Sequence, residues 1–225
     1  PARRISRLGD GSLGGKAGGL VTAARILAER RSDLEVPGLS LDVPALCVVA
    51  TSVFDSFLDR NGLRPLLAEE PSDDVLSLAF QKATLPTEWL GDLRSLADDA
   101  RLPLACRSSS ALEDALGRPF AGVYGTKMIP GNQPDVAGRF KSLVDAVKFV
   151  FATTFFHEAR AYQRAAGELP EPEKMAVVVQ EVVGRRHGDR FYPDLSGVAR
   201  SYNFYPVGPA QPAEGVVDLA LGLGK

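Results

Sequence analysis

Nine consecutive residues, Met175-Ala-Val-Val-Val-Gln-Glu-Val-Val183, hold five valines between Lys174 and Gly184. A β-branched run of this kind loses rotamer freedom in a helix and suits a pleated strand buried on at least one face. Such a strand requires a real core. With 225 residues the chain can build one, as one large domain or two small ones.

Helical periodicity accounts for much of the remainder. Leu13, Ala17, Leu20, Val21, Ala24, Leu27 and Ala28 recur at three- and four-residue steps, which predicts a helix after a glycine cluster. Further helices are predicted over 52–60, closed by Asn61 and Gly62, from Ser72 as an N-cap with Asp73 and Asp74 behind it, and from Thr87 to Ala100. Another pair follows, the first carrying Val136 to Val150 and the second Phe156 to the Gly167 stop. Short apolar runs at PALCVV and LPLACRS read as buried strands, and SGVARSYNFYPV and GVVDLALG as two more.

Charge and cysteine usage exclude several function classes. Twenty-six Lys and Arg against 28 Asp and Glu give a formal charge of -2, so no overall basic field is present to collect nucleic acid or acidic lipid. Any anion site is local. No run is long enough to span a membrane, and PARRISRLGDG lacks the apolar stretch of a signal peptide. Cys47 and Cys106 form no metal spacing and no disulfide framework, although a single bridge between them remains open; a reducing cytoplasm is expected. The chain opens on proline and stops at LALGLGK, and is expected to be part of something longer.

Four features could carry chemistry. Gly14-Gly15-Lys16-Ala17-Gly18-Gly19 stands at a helix start, where amides, the helix dipole and an ammonium suit a phosphate. It is no Walker A loop, and the expectation that no strand precedes it, with its glycine intervals, argues against a dinucleotide fingerprint; a tight turn that ends in a lysine would look the same. Arg107-Ser108-Ser109-Ser110 ends an apolar strand, so a rigid element could deliver a guanidinium to phosphate oxygens, or Arg107 could instead pair with Glu113 or Asp114. Phe120-Ala121-Gly122-Val123-Tyr124-Gly125-Thr126 reads as a lid over a nucleotide or as a glycine-kinked hairpin. Gln180, Glu181, Val182 and Val183 leave the valine strand where an adenine edge could bind, or form ordinary core. His157 and His187 have no metal partner or nucleophile nearby in sequence and are assigned no role.

In order and spacing, LGGKAGGL, CRSSSALEDALGRPFAGVYGT, MAVVVQEVV, SGVARSYNFYP and VVDLALGLGK resemble the N-terminal nucleotide-binding domain shared by phosphoenolpyruvate synthase (pyruvate, water dikinase) and pyruvate phosphate dikinase. The resemblance covers nearly the whole chain. It implies an α+β, ATP-grasp type nucleotide-binding domain of two or more subdomains with mixed or antiparallel sheets and flanking helices. Residues 1–110 would form the N-terminal subdomain with the phosphate-binding Lys and Arg, and residues 111–225 the lid loop and the grasp subdomain.

By the same resemblance, ATP lies between the subdomains. Lys16 and Arg107 hold its polyphosphate, the lid with Gly122, Tyr124, Gly125 and Thr126 covers it, and Gln180, Glu181, Val182 and Val183 receive the adenine. Magnesium is the implied metal, with Asp218 as one ligand. The family usually has glutamate directly after GLG, where this chain has Lys225. The implied partners are a swivelling phosphohistidine domain and a pyruvate-binding barrel of the same longer chain. No histidine here stands in the phosphohistidine context, and 225 residues are too few to add the barrel. Neither nucleic acid nor a membrane is expected as a partner, and a homodimer is allowed. Two alternatives stand beside this reading: a dikinase acting on a glucan or an antibiotic, and a degenerate nucleotide-binding or regulatory module.

Overall fold

A computed structural model describes residues 5–33, 37–114, 122–166 and 173–223. These divide into two compact units, Pro1–Glu181 and Val182–Lys225. The division expected near residue 110 falls at the end of a strand that pairs with later strands on both sides, so the sheet continues across it.

In the first unit, β1 (Ile5–Leu8), β2 (Leu46–Val49), β3 (Leu104–Ser110), β4 (Thr126–Ile129) and β5 (Met175–Glu181) form one sheet in the order β1-β2-β5-β3-β4. β1 and β2 run parallel, and every other neighbouring pair is antiparallel. The valine strand β5 is central, and its residues from Met175 to Val179 are all buried. Its alternation splits the core in two. Ala176 and Val178, with Leu46 and Val48 of β2, pack under α1 (Gly14–Glu29) through Ala17, Leu20, Ala24 and Leu27. Val177 and Val179, with Cys47, Val49 and Cys106, face the other layer.

That second layer is helical. It comprises α2 (Thr51–Arg60), α3 (Leu63–Ala68), α4 (Asp73–Lys82), α5 (Leu90–Asp99), α6 (Val136–Thr153) and α7 (His157–Ala166). Phe54, Phe57, Phe80, Phe151 and Phe155 interlock at its centre, with ring centroids 5.1–6.0 Å apart. Burying each such ring is worth about 1.5–3 kcal/mol, so this cluster anchors the helices to one another.

Helix ends are satisfied partly by distant groups. Ser72 does occupy the N-cap of α4, but its hydroxyl makes no capping bond. Asp73 instead accepts the His157 amide at 2.7 Å and caps α7, which ties α4 to α7. Asp135 caps α6 by accepting the Gly138 amide at 2.7 Å.

The second unit holds two antiparallel hairpins, β6 (Arg185–His187) with β7 (Arg190–Tyr192), and β8 (Leu195–Arg200) with β9 (Val216–Leu221). The basic turn expected at GRRHGDR is the bend of the first hairpin, and the His187 ring stacks on Tyr192 at 4.0 Å. The strand expected over SGVARSYNFYPV ends at Arg200, before the aromatic residues.

Candidate functional site

The glycine loop before α1 is clasped by the start of α2. Ser52 Oγ accepts the Asp10 amide at 2.7 Å and Thr51 Oγ1 accepts the Ser12 amide at 2.9 Å. In return the carbonyls of Ser12 and Asp10 accept the amides of Thr51 and Ser52, each at 3.1 Å. Loop and helix start thus satisfy each other's unpaired groups. β1 does precede this loop, contrary to expectation, and β1, α1 and β2 make a crossover between parallel neighbours. Gly9, Gly11 and Gly14 have the G-x-G-x-x-G spacing that a reading centred on Gly14 to Gly19 overlooks. The loop amides of Asp10 and Ser12 are nonetheless spent on α2 rather than held out to an anion.

At the start of α1, Ser12 Oγ accepts the Gly14 amide at 3.1 Å and Ser109 Oγ accepts the Ala17 amide at 3.0 Å. Ser109 also donates to the Leu13 carbonyl at 2.7 Å, so its hydroxyl stitches α1 to β3. Lys16 follows the same route. Its Nζ lies 2.5 Å from Glu113 Oε1 and 3.2 Å from Ser108 Oγ. The Glu113 carboxylate, in the short turn Leu112–Asp114, is 1% exposed, and it accepts from Ser108 Oγ at 2.8 Å and from the Ser110 amide at 3.1 Å. A carboxylate with three donors, one of them a cation, is well compensated for its burial.

Arg107 is the opposite case. It is exposed on β3, and no described residue gives it a hydrogen bond or ion pair. Glu113, its expected alternative partner, is held by Lys16 instead. Arg107 stands opposite Val178 on β5 and Thr126 on β4. Gln180 is opposite Ala105 and Leu46. Paired residues share a face, so Arg107, Thr126 and Gln180 all project on the α1 side of the sheet. Ser108, which Lys16 grips, projects to the other side, so the two cations reach β3 at successive residues.

The remaining expected residues are distributed differently. Tyr124 is buried in the main core, its hydroxyl accepting from Gln163 at 3.2 Å, and burial pushes its phenol well above the usual range. Gly125 donates its amide to Thr153 Oγ1 at 3.1 Å, while Gly122 is exposed. Phe120 and Ala121 lie outside the described residues, as do Gly167, Gly224 and Lys225. The Glu181 amide is donated to Ala45 at 2.9 Å, and alternation turns its side chain to the face opposite Gln180. Val182 and Val183 begin the second unit. There Asp218 is exposed on β9, opposite Val198. Among the described residues no group of three or more His, Cys, Asp or Glu is gathered to hold a metal ion. One exposed carboxylate falls short of a magnesium site, which needs further oxygen ligands.

The family model described as pyruvate phosphate dikinase, AMP/ATP-binding domain, matches residues 10–225. The chain belongs to that family. Its α+β architecture of mixed sheets with flanking helices is that of a nucleotide-binding domain of pyruvate phosphate dikinase and phosphoenolpyruvate synthase-like proteins, a family of kinase-type phosphotransferases. No curated protein matches the chain. Within this dikinase-family domain no described helix is long and apolar enough to cross a membrane. Sequence reasoning named Glu113 only as a possible partner of Arg107 and missed its pairing with Lys16. Its only signal was an acidic side chain three residues after a serine run, which does not say which cation it would meet.

Proposed function

We propose that this domain binds ATP and presents it for phosphoryl transfer to a histidine on a separate swivelling domain, from which the group passes to pyruvate. Arg107 is the observation that carries this reading: a guanidinium on a sheet strand, exposed and without a partner among the described residues, set beside Thr126 and Gln180. Leaving a cation unpaired on a rigid element has no evident structural use, and a planar fork suits phosphate oxygens.

In this proposal Arg107 and Lys16 neutralise and orient the polyphosphate, with Thr126 adding a hydroxyl. Phosphoryl transfer asks mainly for positioning and charge stabilisation, so no general base within the chain is required. Gln180, Glu181, Val182 and Val183 are assigned to the adenine, and Gly122, Tyr124 and Gly125 to the segment covering the nucleotide. In that segment Tyr124 serves as the buried anchor. Magnesium would neutralise phosphate charge, and Asp218 is proposed as one ligand.

The test uses the full-length protein and radiolabelled ATP. Lys16→Ala and Arg107→Ala are expected to lower phosphohistidine formation by about two orders of magnitude or more without unfolding the protein. Wild-type labelling in both variants overturns the assignment. A non-catalytic nucleotide-binding module is the second reading, favoured by the Lys16 ammonium being already paired with Glu113. It predicts ATP binding without any phosphohistidine.

A further inference from the structure

Lys16 is 97 positions from Glu113, yet its ammonium ends on that carboxylate and on Ser108. An ammonium has three N–H donors; two are directed inward, and no described residue takes the third. The Lys16 side chain is 28% exposed while its partner is 1% exposed, so the anion is fixed and the cation sits at the boundary with solvent. Glu113 is itself fixed from three directions: Lys16 and Ser108 on Oε1, and the Ser110 amide on Oε2. A flexible four-carbon lysine would otherwise lose substantial rotamer entropy on engaging a ligand, and holding it in place beforehand lowers that cost.

We propose that Glu113 is a positioning residue, which with Ser108 orders the Lys16 ammonium so that its remaining N–H is held for a phosphate oxygen. This rests on the reading that Lys16 contacts the nucleotide. The two oxygens of Glu113 face donors on both sides. A glutamine there must turn its NH2 either toward Lys16 and Ser108 or toward the Ser110 amide, and therefore breaks one side of the clamp. Aspartate keeps the charge but is one methylene short.

The experiment is ATP binding to the full-length protein by calorimetry, for the wild type, Glu113→Gln, Glu113→Asp, Lys16→Met and the double variant Lys16→Met with Glu113→Gln. Glu113→Gln is expected to weaken ATP about tenfold and Glu113→Asp about threefold. In the Lys16→Met background, Glu113→Gln is expected to have no further effect, because Glu113 acts only through the ammonium. A merely structural Glu113 would weaken binding equally in both backgrounds, and that outcome overturns the proposal. So does wild-type affinity in Glu113→Gln when Lys16→Met is impaired. If Lys16→Met itself binds ATP like the wild type, the reading of Lys16 falls, and this inference falls with it. Should Glu113→Gln fail to fold, Ser108→Ala removes one bond to the ammonium and leaves the carboxylate. It is expected to weaken ATP about twofold to threefold, and unchanged affinity counts against the clamp.

Discussion

Gly14 sits directly against the backbone of Ser109, so that a Cβ at this position would overlap the Ser109 carbonyl. Its φ of 72° is also one that side chains with a Cβ rarely adopt. This contact sets how closely the start of α1 approaches β3, and with it the reach of Lys16 to Ser108 and Glu113. Gly14→Ala is expected to destabilise the protein by more than about 3 kcal/mol, seen in urea unfolding. Gly19, exposed within the same helix with nothing near its missing Cβ, should behave oppositely: Gly19→Ala is expected to gain about 0.5–1 kcal/mol.

The two cysteines flank one residue of the central strand, since Cys47 and Cys106 are both opposite Val179, from either side. They are therefore about 10 Å apart, two strand spacings, where a disulfide tolerates Cα atoms no more than about 7 Å apart. Both are free and buried, and burial pushes the Cys106 thiol up to about 12 and raises Cys47 as well. Ellman's reagent should find no reactive thiol in the native protein and two in denaturant. A rapid native reaction would contradict the packing.

Burial raises the Glu173 carboxyl above the ordinary carboxylate range, and the nearby Glu113 charge adds to it, against a hydrogen bond from the Leu112 amide. A folded-state pKa raised above the unfolded one means a contribution that is complete at acid pH and is lost as pH rises through the folded value. Glu173→Gln keeps an acceptor for Leu112 and removes the ionisation. Its melting temperature is expected to exceed that of the wild type at pH 8, with the difference shrinking toward pH 4. A difference independent of pH would rule out this origin.

Much of the fold is legible in the residues. Periodicity finds α1 and α5 to α7, cap and stop residues mark α2 and α4, and short apolar runs, valine-rich in β2 and β5, find β2, β3 and β5, because in these segments the residue pattern and the burial agree. Ile5-Ser-Arg-Leu8 gives no such signal: four residues on a sheet edge with two polar side chains become a strand only because β2 offers its hydrogen bonds. α3 is hidden by Pro65 in its first turn. The candidate site is legible to a lesser degree. Lys16 and Arg107 stand out by type and setting, whereas the Lys16 to Glu113 pair depends on tertiary closure across 97 residues, which no local pattern encodes. Tyr124 reads as part of a lid or a glycine-kinked hairpin, and its ring joins the core.

The most direct test is the ATP affinity of Arg107→Ala in the full-length protein. Arg107 has no partner among the described residues, so its removal is expected to change stability by no more than about 0.5 kcal/mol, and any loss of affinity reports a contact with the ligand. ATP binding weakened about tenfold or more, at an unchanged melting temperature, is the predicted result. An ATP dissociation constant equal to that of the wild type would contradict the account.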